Sequence, residues 1–196
     1  MQNQSDLLPR TALIQNILLQ NPAIQKVLER ASGLDLPNWY LGAGCIAQTV
    51  WNYYSKRPLL DHISDMDLVY FDDQDPGFEA EDERVKKVRD AFSDIPVQID
   101  LKNQARVHLW YEKHFGYAIN PYKSVEEAID TWPTTGTAVG VKYDEAGKFK
   151  VYAPFGLDDL LDRVVRPNKI QITEEIYLKK VIRWKACWPE LTIIPW

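Results

Sequence analysis

The sequence predicts an α+β fold, a small mixed sheet flanked by helices. Three observations carry that reading. Met66, Leu68, Val69, Tyr70 and Phe71 make a β-branched and aromatic run of strand length. Val97-Gln-Ile-Asp-Leu101 alternates apolar and polar residues, as a half-buried strand does. Around these, Thr11–Gln20, Ala23–Ala31 and Glu79–Phe92 place apolar residues at helical spacing. Residues 1–196 are read as a single domain with helical extensions at both ends.

Composition narrows the class. A chain of 196 residues, 45% hydrophobic and 26% charged, has the balance of a globular protein with a sizeable core. A net charge of -5 argues against nucleic acid or anionic membrane as a partner, while leaving room for a small basic patch. Cys45 and Cys187 lie far apart without metal-ligand spacing, which argues against zinc and against a disulfide framework. Met1–Pro9 lacks a basic region followed by an apolar run, so no signal peptide is expected. No stretch approaches the roughly 20 apolar residues that span a bilayer, and the expected location is the cytoplasm.

In chain order, Asn21-Pro22 reads as an N-cap with proline in the first turn of the second helix, and Gly33 as its stop. Trp39-Tyr-Leu-Gly42 reads as a short strand. It runs through Gly42-Ala43-Gly44 into a helix over Ile46–Tyr54. A strand passing through small residues into a helix leaves backbone N–H groups free at the helix start, where a phosphate can approach them. The plain alternative is a tight turn that uses glycine for its dihedral freedom.

Asp65 and Asp67 open the next strand, and strand periodicity points both carboxylates to one face. Like charges held there repel unless a cation sits between them, and a hard divalent ion suits carboxylate oxygens. Acid-x-acid pairs occur four times, at 65/67, 73/75, 79/81 and 81/83, the number chance predicts for 28 acids in 196 residues. Only Asp65/Asp67 borders an apolar strand; the other reading for it is a solvated strand-end turn. Asp72–Gly77 is a loop by composition, and the charged helix Glu79–Phe92 is expected to bury Ala80, Val85, Val88 and Phe92. Asp100, between Ile99 and Leu101, is an expensive place for a charge unless it is paired or metal-bound.

Three acids on neighbouring strands beside a phosphate-accepting helix start point to phosphoryl-group transfer by positioning and charge neutralisation. Two Mg²⁺ ions about 4 Å apart would hold the triphosphate of an NTP and an attacking hydroxyl in line. Asp65 and Asp67 would bridge both ions. Asp100 would hold the ion that lowers the acceptor hydroxyl's pKa, and could also take its proton.

These residues carry a resemblance. Gly42-Ala-Gly44, Asp65-x-Asp67 and a strand-borne Asp100 resemble the signature of the nucleotidyltransferase superfamily with the DNA polymerase beta palm. More narrowly, several runs resemble a bacterial nucleotidyltransferase-like family whose substrate is not established. They are Trp39–Cys45, Asn103–Tyr111, Thr131–Thr135, Ala153–Leu160 and Arg166-Pro-Asn168. The resemblance spans roughly residues 10–196. It implies the polymerase-beta-like fold, a metal-dependent site and nucleotidyl transfer from an NTP to an unidentified hydroxyl acceptor, with loss of pyrophosphate. Ala43-Gly44 stands where Gly-Ser is commoner, which removes a hydroxyl contact to phosphate and leaves the backbone amides to serve. The alternatives are a catalytically silent NTP-binding module, an enzyme that adenylylates proteins, and an interaction scaffold anchored by the seven tryptophans.

Asn103–Phe115 reads as a helix beside the acids. Arg106 is a candidate phosphate contact, since a guanidinium binds phosphate bidentately; a structural ion pair is the alternative. His108 is either a general base or a hydrogen-bonded core histidine. Ser124-Val-Glu-Glu127 caps a short helix, and Thr137–Tyr143 with Lys148–Ala153 reads as a hairpin. A threonine-rich turn, a hairpin and then Pro154–Leu160 resemble the head region of CCA-adding enzymes. That resemblance implies nucleotide-binding roles for Thr134, Thr135 and Asp158. Arg163, Arg166 and Lys169 form the one locally basic segment, and Thr173–Ala186 is a capped amphipathic helix with Trp184 and Trp188 in the core. The apolar tail Leu191–Trp196 is expected to fold back on the body; left exposed, it would suggest a homodimer contact.

Overall fold

Five strands form one mixed sheet in the order β3-β2-β1-β4-β5. The computed structural model describes residues 4–196, with side chains from residue 9 onward. The strands are β1 (Tyr40–Gly42), β2 (Asp65–Tyr70), β3 (Gln98–Asn103), β4 (Gly140–Tyr143) and β5 (Phe149–Tyr152). The pair β2–β3 is parallel and every other neighbour is antiparallel. The parallel pair is joined by the helical crossover that such a pair requires. Before and between the strands run α1 (Gln4–Leu19), α2 (Pro22–Ala31), α3 (Gly44–Tyr54), α4 (Phe78–Ala91), α5 (Val107–Phe115) and α6 (Val125–Asp130).

Local sequence explains most of these boundaries. Asn21 accepts a hydrogen bond from the Ala23 amide and Pro22 opens α2, which buries Ala23, Ile24, Val27, Leu28 and Ala31 as one stripe. Ser124 caps α6 through the Glu127 amide, and Thr173 caps α8 (Glu174–Cys187) through Ile176. A 3-10 turn, Gln104–Arg106, leads into α5, and Gly116 ends it in the left-handed conformation at φ 84°. Ala80 and Val85 of α4 are only half-buried, against the expectation of a fully buried side. This helix covers an edge strand, so solvent reaches its flanks.

Alternation along the strands sorts the side chains into two layers. Leu41, Met66, Leu68, Tyr70 and Leu101 face the main core, which α1, α2, α3 and α8 complete. Tyr40, Val69 and Phe71 face the other way, into a smaller cluster with Val125 and Ile129 of α6. Asp65 and Asp67 stand in step with Val69, so β2 turns both toward the second, partly open face.

Three aromatic residues pin α8 to α3. Trp51 meets Trp184 and Trp188 edge-on, with centroids 5.5 and 5.3 Å apart, and Trp188 donates to the buried Asn52 carboxamide at 2.8 Å. After α7 (Asp158–Leu161), β6 (Val164–Val165) pairs in parallel with β7 (Thr192–Ile193). Tyr177 donates to the Ile194 carbonyl at 2.5 Å, so the apolar tail folds back on the body as expected. Among the described residues, no helix is long and apolar enough to cross a membrane.

Candidate active site

Strand register brings the acids together. Gly42 of β1 pairs with Asp67 of β2, and Asp67 pairs with Asp100 of β3, so the three positions form one row across the sheet. Asp65 lies one pleat away on the same face. One oxygen from each of Asp65, Asp67 and Asp100 falls within 4.8 Å of the others. Asp65 is exposed, Asp67 and Asp100 are half-buried, and the Ser64 hydroxyl donates to Asp65 at 2.7 Å.

Loss of water in the cleft pushes the Asp67 carboxyl up to about 6, with Asp65 and Asp100 adding to the rise while the ammonium groups of Lys102 and Lys180 oppose it. A carboxylate under that pressure calls for positive charge beside it. An all-oxygen donor set of three carboxylates suits a hard divalent cation such as Mg²⁺. The residues present therefore fit such a group.

The start of α3 borders the same row. Among the described residues no side chain caps the helix, which leaves its first-turn amides to solvent or a ligand. Ala43 sits just before it at φ 60° and ψ -130°, a conformation strained for any residue with a Cβ. Its own N–H is taken by the Val139 carbonyl at 3.1 Å, so of the turn Gly42-Ala43-Gly44 the Ala43 amide does not face a phosphate. Gly42 is required sterically: a Cβ there would lie 2.6 Å from the Trp132 ring and 2.8 Å from the Val139 carbonyl.

Asp67 and Ala43 open onto a cleft of about 280 Å³. Its walls are mostly apolar, with the rings of Trp110, Tyr111, Tyr122 and Trp132 prominent among them. Tyr122 donates to Gln171 Oε1 at 2.9 Å and lies 3.0 Å from the Thr131 hydroxyl, which holds one wall rigid. A cleft with flat apolar walls and a few fixed polar groups suits a planar organic group.

Four other candidates are engaged elsewhere. Arg106 forms an ion pair with Glu81, donates to the Pro76 carbonyl at 2.7 Å and lies over Phe78, the contacts of the structural alternative. The Thr134 hydroxyl is buried 2.8 Å from that of Thr137. Thr135 donates to Asp159 at 2.6 Å, and Asp158 pairs with Arg10. None of the four lines the cleft, because the turn that holds the threonines continues away from Pro133 toward α7 and β6. His108 also stays outside it, its Nδ1 buried without a partner among the described residues.

Two charged cleft residues escaped sequence reasoning. Lys102, two positions after Asp100, shares its face, a signal that strand periodicity does contain. Its ammonium bonds Asp100 and lies 3.8 Å from Asp67. Burial draws that ammonium down, but the hydrogen bond to Asp100 and the charge of Asp67 hold it above its ordinary value. Lys180 reaches the cleft from α8, and nothing near it in sequence announces the contact.

A mixed sheet that aligns three carboxylates beside an uncapped helix start defines a nucleotidyltransferase. Residues 29–193 match the family described as Nucleotidyltransferase, and the chain belongs to that family. A solved structure described as revealing a CCA-adding enzyme head domain is similar over 93% of this chain and 96% of its own, with 29% identity and a TM-score of 0.76. Two larger structures match more loosely, at 14% identity over 86% of this chain. A tRNA-processing enzyme in an apo form has a TM-score of 0.47, with 44% of its length covered. A tRNA nucleotidyltransferase complexed with a primer tRNA and an incoming ATP analogue has a TM-score of 0.45, with 46% covered. No curated protein matches the sequence.

Proposed function

We propose that this nucleotidyltransferase moves a nucleoside monophosphate from an NTP to a hydroxyl acceptor, releasing pyrophosphate, with Asp65, Asp67 and Asp100 holding Mg²⁺. The observation that carries this reading is the meeting of three carboxylates within 4.8 Å beside the start of α3. When bound, magnesium would supply charge neutralisation at phosphoryl oxygens and a lowered pKa for the hydroxyl.

The chain supplies the rest. First-turn amides of α3, from Gly44 onward, offer donors and the positive helix end to a phosphate. Gly42 lets the Trp132 ring close against the sheet, which narrows the cleft around its occupant. Aromatic walls exclude water and hold a planar group by stacking. Asp100, facing the row of acids, accepts the acceptor's proton as the new P–O bond forms and pyrophosphate leaves.

The test is magnesium-dependent pyrophosphate release from each of the four NTPs, assayed over a panel of hydroxyl acceptors. Activity should vanish in Asp65→Ala, Asp67→Ala and Asp100→Ala while each variant stays folded. Equal turnover in folded variants refutes the assignment of these carboxylates.

A further inference from the structure

The most distinctive feature of the cleft is a cation that the chain itself provides. Lys102 projects from β3 on the same face as Asp100, bonds its carboxylate, and stands 3.8 Å from Asp67 Oδ1. These are two of the three groups assigned to the metal. An ammonium and a divalent cation therefore compete for the same oxygens. Lys180 differs. It lines the same cleft from α8, and among the described residues its ammonium takes part in no ion pair; it lies 5.7 Å from the centre of the Trp184 ring. Arg183, one turn further along α8, adds to the positive field on Lys180. Asp67 and Asp65 are the anions that act on Lys180 as well, so a divalent cation that neutralised the acid row would leave both ammonium groups facing an anionic ligand such as a phosphate group.

We propose that Lys102 is a resident counter-ion of the aspartate row, that a divalent cation displaces it, and that the released ammonium joins Lys180 in holding a phosphate group of the nucleotide. This deepens the reading above and rests on it. The physical consequence is coupling. A lysine on the acids weakens metal binding by itself, and a lysine freed by the metal strengthens phosphate binding, so each ligand should promote the other.

Lys102→Met and Lys180→Met separate the parts. Mn²⁺ binding without nucleotide, followed by calorimetry or electron paramagnetic resonance, should tighten in Lys102→Met by about tenfold, the scale of one charge-assisted bond. In Lys180→Met it should change about threefold at most, because that ammonium adds only field and no direct bond. Inorganic tripolyphosphate with Mg²⁺ tests the phosphate arm without presuming a base. Its affinity should fall about tenfold in each variant, despite the tighter metal in Lys102→Met. Opposite changes for metal and phosphate in one variant are not produced by a merely structural lysine. Unchanged or weaker Mn²⁺ binding in Lys102→Met overturns the proposal, as does equal tightening in both variants, which marks a field effect. Undiminished tripolyphosphate binding in both overturns the phosphate arm. Each of these failures leaves the aspartate assignment standing, since that is judged by turnover in the aspartate variants.

Discussion

Replacing Asp67 by asparagine keeps the shape of the side chain and removes its charge, and it should stabilise the metal-free protein. The Asp67 carboxyl is raised from 3.8 to about 6, chiefly by loss of water in the cleft. A raised carboxyl pKa means that the folded chain binds the proton more tightly than the unfolded chain. Stability is then lost as pH rises from 3.8 toward 6, and the full penalty is present above 6. The shift corresponds to about 3 kcal/mol at 1.36 kcal/mol per unit, and solvent access to the cleft reduces this to about 1–2 kcal/mol. For a chain of this size, about 1–2 kcal/mol moves Tm by roughly 3–6 °C. Thermal unfolding in EDTA should place Asp67→Asn above the wild type by that amount at pH 8, with the gap closing near pH 4. In saturating Mg²⁺ or Mn²⁺ the order should reverse. At a hundredfold excess over Kd the wild type gains about 2.7 kcal/mol, whereas the variant has lost a ligand. A variant less stable than the wild type in EDTA at pH 8 refutes the argument, because Asp67 would then be stabilised where it stands without a metal.

Three further outcomes follow from the geometry. Ala43→Gly relieves the positive φ before α3 and should add about 1 kcal/mol to the urea-unfolding free energy, the scale of one strained residue. Gly42→Ala should lower it by about 2 kcal/mol, since its methyl group meets the Trp132 ring and the Val139 carbonyl; a neutral result would show that the ring shifts freely. Arg84→Met leaves the Asp72 carboxylate without its 2.7 Å partner and should lower stability at pH 7 by about 2 kcal/mol. Burial raises the Asp72 carboxyl, but the Arg84 hydrogen bond and the Gln74 and Asp75 amides outweigh it and hold it below 3.8. Its stabilisation is therefore present above the unfolded value and lost as pH falls through the folded one. The gap between Arg84→Met and the wild type in urea unfolding should narrow as pH drops below 3.8.

What could be read from the chain was whatever period and capping encode. Alternation in the Met66 run placed Asp65 and Asp67 on one face. Asn21-Pro22, Ser124 and Thr173 announced their helix starts because a cap acts within a few residues of itself. The break from strand to helix around Gly42–Gly44 was visible for the same reason.

Other features depended on which distant residue arrived opposite. Arg106 could be read as a phosphate ligand or as an ion pair, and packing of α4 against the 3-10 turn chose Glu81. Thr134, Thr135 and Asp158 found partners in Thr137, Asp159 and Arg10, leaving the cleft to Trp110, Trp132 and the lysines. The sequence by itself determined the acidic face of β2 and the helix start beside it, because side-chain direction repeats every two residues in a strand. Only the tertiary structure decided that Asp100 lies level with Asp67, and that Lys180 of α8 lines the same cleft. Register across β2–β3 and the docking of α8 on α3 are set by packing over the whole core, which no local pattern contains.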